Sequence, residues 1–199
     1  MGTIGKNLVT VNDRVHRFRV SIATKKGDLG MTTLLFNRSI SKCNPRLEAL
    51  GATDELSAAL GLARATAPHD FVRHPLQVIQ HDLIILMGEL ATLEDDLARF
   101  AQAGFKRVTP ELTAKIDRWI KEIESQPGQV HGWAQPGGSL PAAFLDLART
   151  VCRRAERRMC ALHEAQQLAN GEVIVYLNRL SDLLWLMARW TEEQENNLA

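Results

Sequence analysis

The densest chemistry in the chain lies between Arg149 and Arg158. Four arginines and one glutamate fall within the six residues Arg153-Arg154-Ala155-Glu156-Arg157-Arg158, directly after Cys152. On a helix Arg149, Arg153 and Arg157 recur at i, i+4 and i+8 and share one face, with Arg154 and Arg158 forming the adjacent row. Like charges at that spacing cost an isolated helix a few tenths of a kcal/mol per pair. A fold that keeps such a stripe must offer it an anion, either a carboxylate of the protein or a phosphate of a ligand. Arginine suits phosphate because its planar fork donates two hydrogen bonds at once. A solvated or interfacial salt-bridge face is the plainer reading.

Three other stretches carry polar groups in suggestive patterns. Thr24-Lys25-Lys26-Gly27-Asp28-Leu29-Gly30-Met31-Thr32-Thr33 sets two glycines three apart among lysines and hydroxyls. Backbone N–H groups in such a loop can curl around an anion, and Lys42 extends the basic surface. The spacing is not that of a Walker A loop, and a polar surface turn would look the same. Gly51-Ala52-Thr53-Asp54-Glu55-Leu56 places adjacent acids on different helix faces, so one can meet a partner while the other stays solvated. Tyr176-Leu177-Asn178-Arg179-Leu180-Ser181-Asp182 puts Asn178 and Asp182 on one face amid leucines, at the edge of a core.

Composition removes several classes. The 199 residues carry a net charge of +1, so no global basic field invites nucleic acid and anion binding must be local. His69 and His74 sit in a connector and His81, His131 and His163 are isolated, so no protein-held metal is expected. No Ser/His/Asp triad has a local signature. Three cysteines form an odd, sparse set that suits a reducing compartment. Cys152 and Cys160 would lie roughly 12 Å apart along a helix, too far to bridge. No apolar run approaches the roughly 20 residues of a membrane span. Met1 to Val20 lacks an apolar leader segment, and Lys6 breaks a myristoylation pattern. A cytoplasmic location and no membrane partner are expected.

Periodicity supplies the elements that must hold these groups. Residues 1–19 read as a flexible arm and 20–196 as one domain. Residues 20–44 read as a structured loop with no strand. Pro45, behind the candidate cap Asn44, opens a first helix with Leu47, Leu50, Leu56, Leu60 and Ala63 inward. Pro68 to Pro75 reads as a connector, and Leu76 to about Phe100 as a second helix. Thr109-Pro110-Glu111 opens a third, which stops at Ser125-Gln126-Pro127-Gly128. Ser139-Leu140-Pro141 opens a fourth, running through the arginines to about Gln167. Glu172 to about Glu195 forms a fifth. The expectation is an all-α, five-helix up-and-down bundle, ferritin-like in general shape, with an N-terminal loop segment.

In order and spacing, Thr24-Lys25-x-Gly27-Asp28-x-Gly30, Gly51-x-x-Asp54-Glu55-Leu56, Cys152 to Arg158 and Leu177-Asn-Arg-Leu-Ser-Asp182 together resemble the PduO-type ATP:cob(I)alamin adenosyltransferases. The resemblance covers about residues 20–192 and implies a homotrimer with active sites between subunits. It implies transfer of the 5′-deoxyadenosyl group of ATP, accompanied by Mg²⁺, to the cobalt of a reduced corrinoid, with triphosphate leaving.

By position, Thr24, Lys25, Lys26, Gly27, Thr32, Thr33 and Lys42 would line the triphosphate. Arg153, Arg154, Glu156, Arg157 and Asn178 would grip ATP, with Lys25, Arg153 and Asn178 as the catalytic candidates. Asp54 would pair with Arg149 across the subunit boundary. Trp133 and Tyr176 would border the corrinoid. Trp133 stands where the family has a phenylalanine, and Lys26 where it often has Thr or Asn. A flavoprotein reductase and a B12-dependent enzyme are the implied partners. A non-catalytic ATP- or corrinoid-binding bundle that delivers cofactor is the alternative, and a purely structural trimer is a third.

Overall fold

The computed structural model describes residue 23 and residues 25–126 and 134–197. Thr24, Trp133 and the expected arm 1–19 lie outside the described residues. A short hairpin comes first, β1 (Met31–Thr33) and β2 (Ser39–Ser41), antiparallel in the register Met31↔Ser41, Thr32↔Ile40, Thr33↔Ser39. Six α-helices follow among the described residues: α1 (Pro45–Thr66), α2 (Asp70–Leu90), α3 (Leu97–Gln102), α4 (Pro110–Glu124), α5 (Leu140–Glu164) and α6 (Glu172–Asn196).

Two helix starts follow simple capping chemistry. Asn44 Oδ1 accepts from the Arg46 N–H at 2.8 Å, with Pro45 at the first helical position of α1. Ser139 does the same for α5, its Oγ accepting from Ala142 N at 3.4 Å. Five long helices build the expected bundle. α1 packs on α2 and α5, α5 on α1 and α6, and α6 on α4. Leu56, Leu60, Leu76, Leu83, Leu145, Met159, Leu177 and Leu184 lie in the shared core.

Three expectations need correction. Residues 31–41 form a hairpin, because three-residue strands are too short to show an alternation. α2 begins at Asp70 and runs through Pro75, which the sequence placed in a connector. Pro75 removes one helical N–H, but Val72 is 1% exposed and Phe71 packs against Trp190 with ring centroids 4.7 Å apart, so packing overrides the local breaker. α2 also stops at Leu90 instead of continuing to Phe100, and α3 follows after a bend of 104°. Arg46 explains the stop. It is 3% exposed, and its Nη1 donates to the carbonyls of Leu90 and Thr92 at 3.2 and 3.1 Å. Its Nη2 donates to Glu94 Oε1 and to the carbonyl of Gln167. One buried guanidinium thereby satisfies helix-end carbonyls and joins α1 to the corner after α2 and to the α5–α6 turn.

Buried carboxylates tie the remaining helices. Asp82 on α2 accepts from Lys115 on α4 at 2.8 and 2.9 Å and from the Tyr176 hydroxyl on α6 at 3.2 Å. Asp146 on α5 accepts from Arg189 on α6 at 2.5 Å. Among the described residues no single helix is long and apolar enough to cross a membrane. The α2–α3 pair passes such a test only jointly, across its bend.

Candidate active site

The glycine loop and the hairpin form one unit. Lys25 and Gly30 take positive φ, 59° and 77°, and the Asp28 and Gly30 N–H groups close turns onto the carbonyls of Lys25 and Gly27. The Lys42 N–H donates to the Gly30 carbonyl at 2.8 Å, so the residue after β2 is pinned to the loop before β1. A methyl group on Gly27 would come 2.8 Å from Lys42 Nζ. Gly27 therefore gives the Lys42 ammonium room to lie over the loop. Lys25, Lys26, Thr33 and Lys42 are exposed and Thr32 is half-buried. The result is a shallow basic surface with hydroxyls at its edge.

On α5 the arginines divide by row. Arg154 pairs with Glu55, and Arg158 with Glu48 at 3.4 Å, both acids on α1. That row therefore meets a carboxylate of the protein. Arg149 Nε bonds Asp146 at 3.1 Å. Arg153 and Arg157 are exposed, and among the described residues neither has an ion pair or hydrogen bond. Asp54 is exposed on α1, while its neighbour Glu55 holds Arg154, so the adjacent acids do serve different faces. Glu156 is half-buried.

A thiol sets these helices in register at the open row. Cys152 Sγ, 0% exposed, donates to the Leu177 carbonyl at 3.2 Å. Each partner directly precedes a candidate ligand residue, Arg153 on α5 and Asn178 on α6. Burial, helped by the nearby Glu156 charge, pushes the Cys152 thiol well up, so it stays a neutral donor. Asn178 is exposed, and its carbonyl accepts from Ser181 Oγ at 2.9 Å. No hydrogen bond or ion pair links the 25–42 loop to Arg153, Arg157 or Asn178 among the described residues.

Tyr176 is where the structure overturns a site expectation. Its side chain is 0% exposed, packed in the core with its hydroxyl on Asp82. Burial first, and the Asp82 carboxylate second, push its phenol well above the ordinary value. A corrinoid could touch it only by opening the bundle, so it is a core residue. Helix α6 turns Tyr176 inward and Asn178 outward, since residues two apart on a helix do not share a face.

The sequence did not single out a groove of about 560 Å³ between α4 and α6. Asp117, Ile120, Lys121, Glu124, Arg179, Asp182, Trp185 and Leu186 line it. Arg179 bonds Asp117 at 3.0 Å and Asp182 at 3.7 Å. The groove starts one residue from Asn178. Near the end of α6 that lies beyond it, Trp190 Nε1 donates to Gln126 and Gly138 N donates to Glu192. The signal was present as Asp117, Lys121 and Glu124 at i, i+4 and i+7, but it reads as ordinary helix charge until α6 supplies the other wall.

A family model described as Cobalamin adenosyltransferase matches residues 22–191. The chain belongs to the cobalamin adenosyltransferase family. A cobalamin adenosyltransferase of Cupriavidus metallidurans is 39% identical over 170 residues, covering 84% of this chain and 86% of that protein. The corrinoid adenosyltransferase MMAB of Bos taurus is 36% identical over 181 residues, covering 88% and 73%. A variant of the PduO-type ATP:corrinoid adenosyltransferase from Lactobacillus reuteri, solved in complex with cobalamin and ATP, superposes with a TM-score of 0.79. It is 30% identical and covers 88% of this chain and 96% of that one. The match spans the hairpin, the arginine rows on α5 and most of α6, so every described site element belongs to the adenosyltransferase fold.

Proposed function

We propose that this chain transfers the 5′-deoxyadenosyl group of ATP to the cobalt of a reduced corrinoid and releases inorganic triphosphate. The observation that carries the reading is the open row Arg153/Arg157, which has no carboxylate partner among the described residues while the adjacent row has Glu55 and Glu48. A triphosphate supplies the missing anion. The glycine loop with Lys25, Lys26 and Lys42 would be the opposite wall, brought from a neighbouring subunit of a homotrimer. In that assembly Asp54, exposed on α1, would meet Arg149 across the boundary.

Cob(I)alamin is itself a strong nucleophile, so the protein need supply none. Cobalt attacks the 5′-carbon, the cobalt–carbon bond forms, the carbon–oxygen bond breaks, and the electron pair leaves on the triphosphate. The chain's tasks are to aim the 5′-carbon and to stabilise the departing charge. Arginine forks, lysine ammonium groups and loop N–H groups serve the second task. Mg²⁺ arrives on the phosphates of ATP. The described residues contain no group of three His, Cys, Asp or Glu that could cage it, and the Thr32 and Thr33 hydroxyls are suited to its outer shell. The corrinoid would lie along the α4–α6 groove, next to Asn178. We place the protein in the cytoplasm, on its sparse, unbridged cysteines. A reductase and a B12-dependent enzyme would flank it.

The test is incubation with ATP, Mg²⁺ and chemically reduced cob(I)alamin, following the corrinoid spectrum and free triphosphate together. Stoichiometric adenosylcobalamin and triphosphate are expected. Binding of both ligands without product would make the chain a delivery protein, and binding of neither would make it a scaffold.

A further inference from the structure

The hairpin tip is fastened to the α2–α3 corner by three independent ties. Arg38 donates to Asp96 through two parallel hydrogen bonds, Nε to Oδ2 at 2.5 Å and Nη2 to Oδ1 at 2.9 Å. The Leu35 N–H donates to the Ala91 carbonyl at 2.9 Å. The Arg99 guanidinium lies 4.5 Å over the Phe36 ring. Phe36 itself has φ 58°, and Asn37 has φ 61°. A bulky residue in the left-handed region is strained and persists only where its surroundings hold it.

None of these ties involves a residue given a ligand contact, yet they act on the strands that carry Thr32 and Thr33. Arg38 directly precedes Ser39, which pairs with Thr33, and Ile40 pairs with Thr32. β2 leads at once to Lys42, whose N–H holds the glycine loop. The bidentate pair bridges 58 residues of sequence, and Asp96 is 5% exposed. Such a fork fixes both position and orientation, unlike a single flexible surface contact.

We propose that the Arg38–Asp96 pair is a positioning device for the triphosphate wall, holding Thr32, Thr33, Gly27 and Lys42 in register without touching ATP. The inference rests on the ATP site assigned above. Its consequence is selective: loosening the fork displaces the triphosphate contacts and leaves the corrinoid groove between α4 and α6 unchanged.

The experiment measures ATP and corrinoid KM values in steady state, and ATP affinity by equilibrium dialysis, for wild type, Asp96→Asn and Arg38→Lys. Asp70→Asn, which removes the exposed pair with Arg73, is the control. Asp96→Asn is expected to raise the ATP KM and dissociation constant about tenfold, the loss of one charge-assisted contact. The corrinoid KM should stay within about twofold of wild type. Arg38→Lys keeps the charge without the fork and should show the same selective defect. It is read alone if Asp96→Asn does not fold. Unchanged ATP affinity in the folded variants, or equal losses for ATP and corrinoid, would overturn the proposal. A wild-type protein that fails to bind ATP would instead overturn the site assignment beneath it.

Discussion

Replacing Arg153 by alanine tests whether the open row of α5 meets the triphosphate proposed for it, apart from the row that answers Glu48 and Glu55. Arg153 is exposed and has no ion pair among the described residues. Its neighbours one turn away are Arg149 and Arg157, so its removal relieves a few tenths of a kcal/mol of repulsion. A surface change of this kind shifts stability by no more than about 0.5 kcal/mol, roughly 1–2 °C in Tm for a chain of this length. The catalytic loss is of another size. Removing one fixed donor from a developing anion costs about 3–4 kcal/mol, or 100- to 1,000-fold in rate. The assay is single-turnover formation of the cobalt–carbon bond from cob(I)alamin and MgATP, with Tm measured on the same samples. Arg158→Ala is the control, because Arg158 answers Glu48 at 3.4 Å and an exposed pair is worth less than about 1 kcal/mol. If Arg153→Ala turns over at the wild-type rate, or Arg158→Ala falls as far, the division of the arginines by row is wrong.

Other outcomes follow from the same geometry. Tyr176→Phe removes one buried hydrogen bond to Asp82 while Lys115 keeps its two, so the cost should be about 1 kcal/mol, roughly 2–4 °C in Tm. The corrinoid KM should not move, and a raised KM at unchanged Tm would return Tyr176 to the site. Gly27→Ala pushes a methyl group to 2.8 Å from the Lys42 ammonium. The lysine must swing away, so ATP affinity should fall several-fold on titration while the fold, read by circular dichroism, is kept. The Asp96 carboxyl is held below its ordinary value of 3.8, first by the Arg38 hydrogen bonds and also by that charge, against the opposing effect of burial. A depressed folded-state value means its contribution is complete above 3.8 and is lost as pH falls through the lower, folded value. Acid unfolding followed below pH 4 should therefore show a steeper limb in wild type than in Asp96→Asn.

What could be read from the sequence followed the length of each pattern. α4, α5 and α6 were legible because each joins a long apolar period to a Pro near its start or, for α6, to the Asn170-Gly171 turn just before it. The limits of α2 were not. Pro75 reads as a breaker unless Val72 is known to be buried and Phe71 to pack against Trp190, and the stop at Leu90 depends on Arg46, 44 residues earlier. The hairpin was hidden by its brevity. At the candidate site, residue types suggested phosphate-seeking groups, but not which arginines pair within the chain, because Glu48 and Glu55 are about 100 residues away in sequence. Tyr176 was misplaced because it adjoins a polar motif and motif membership carries no direction: Asn178 is exposed and Tyr176 is in the core.

The two arginine rows give α5 an unusual sensitivity to length. A helix turns about 100° per residue, so one residue inserted between Val151 and Arg153 would rotate everything after it by that angle. The side chains that meet Glu48 and Glu55 and those that stay open could no longer hold their present roles. Surface loops elsewhere can absorb insertions at little cost, but the stretch of α5 from the Cys152 thiol to Arg158 has no such freedom. Over evolutionary time this segment should exchange residues and refuse gaps.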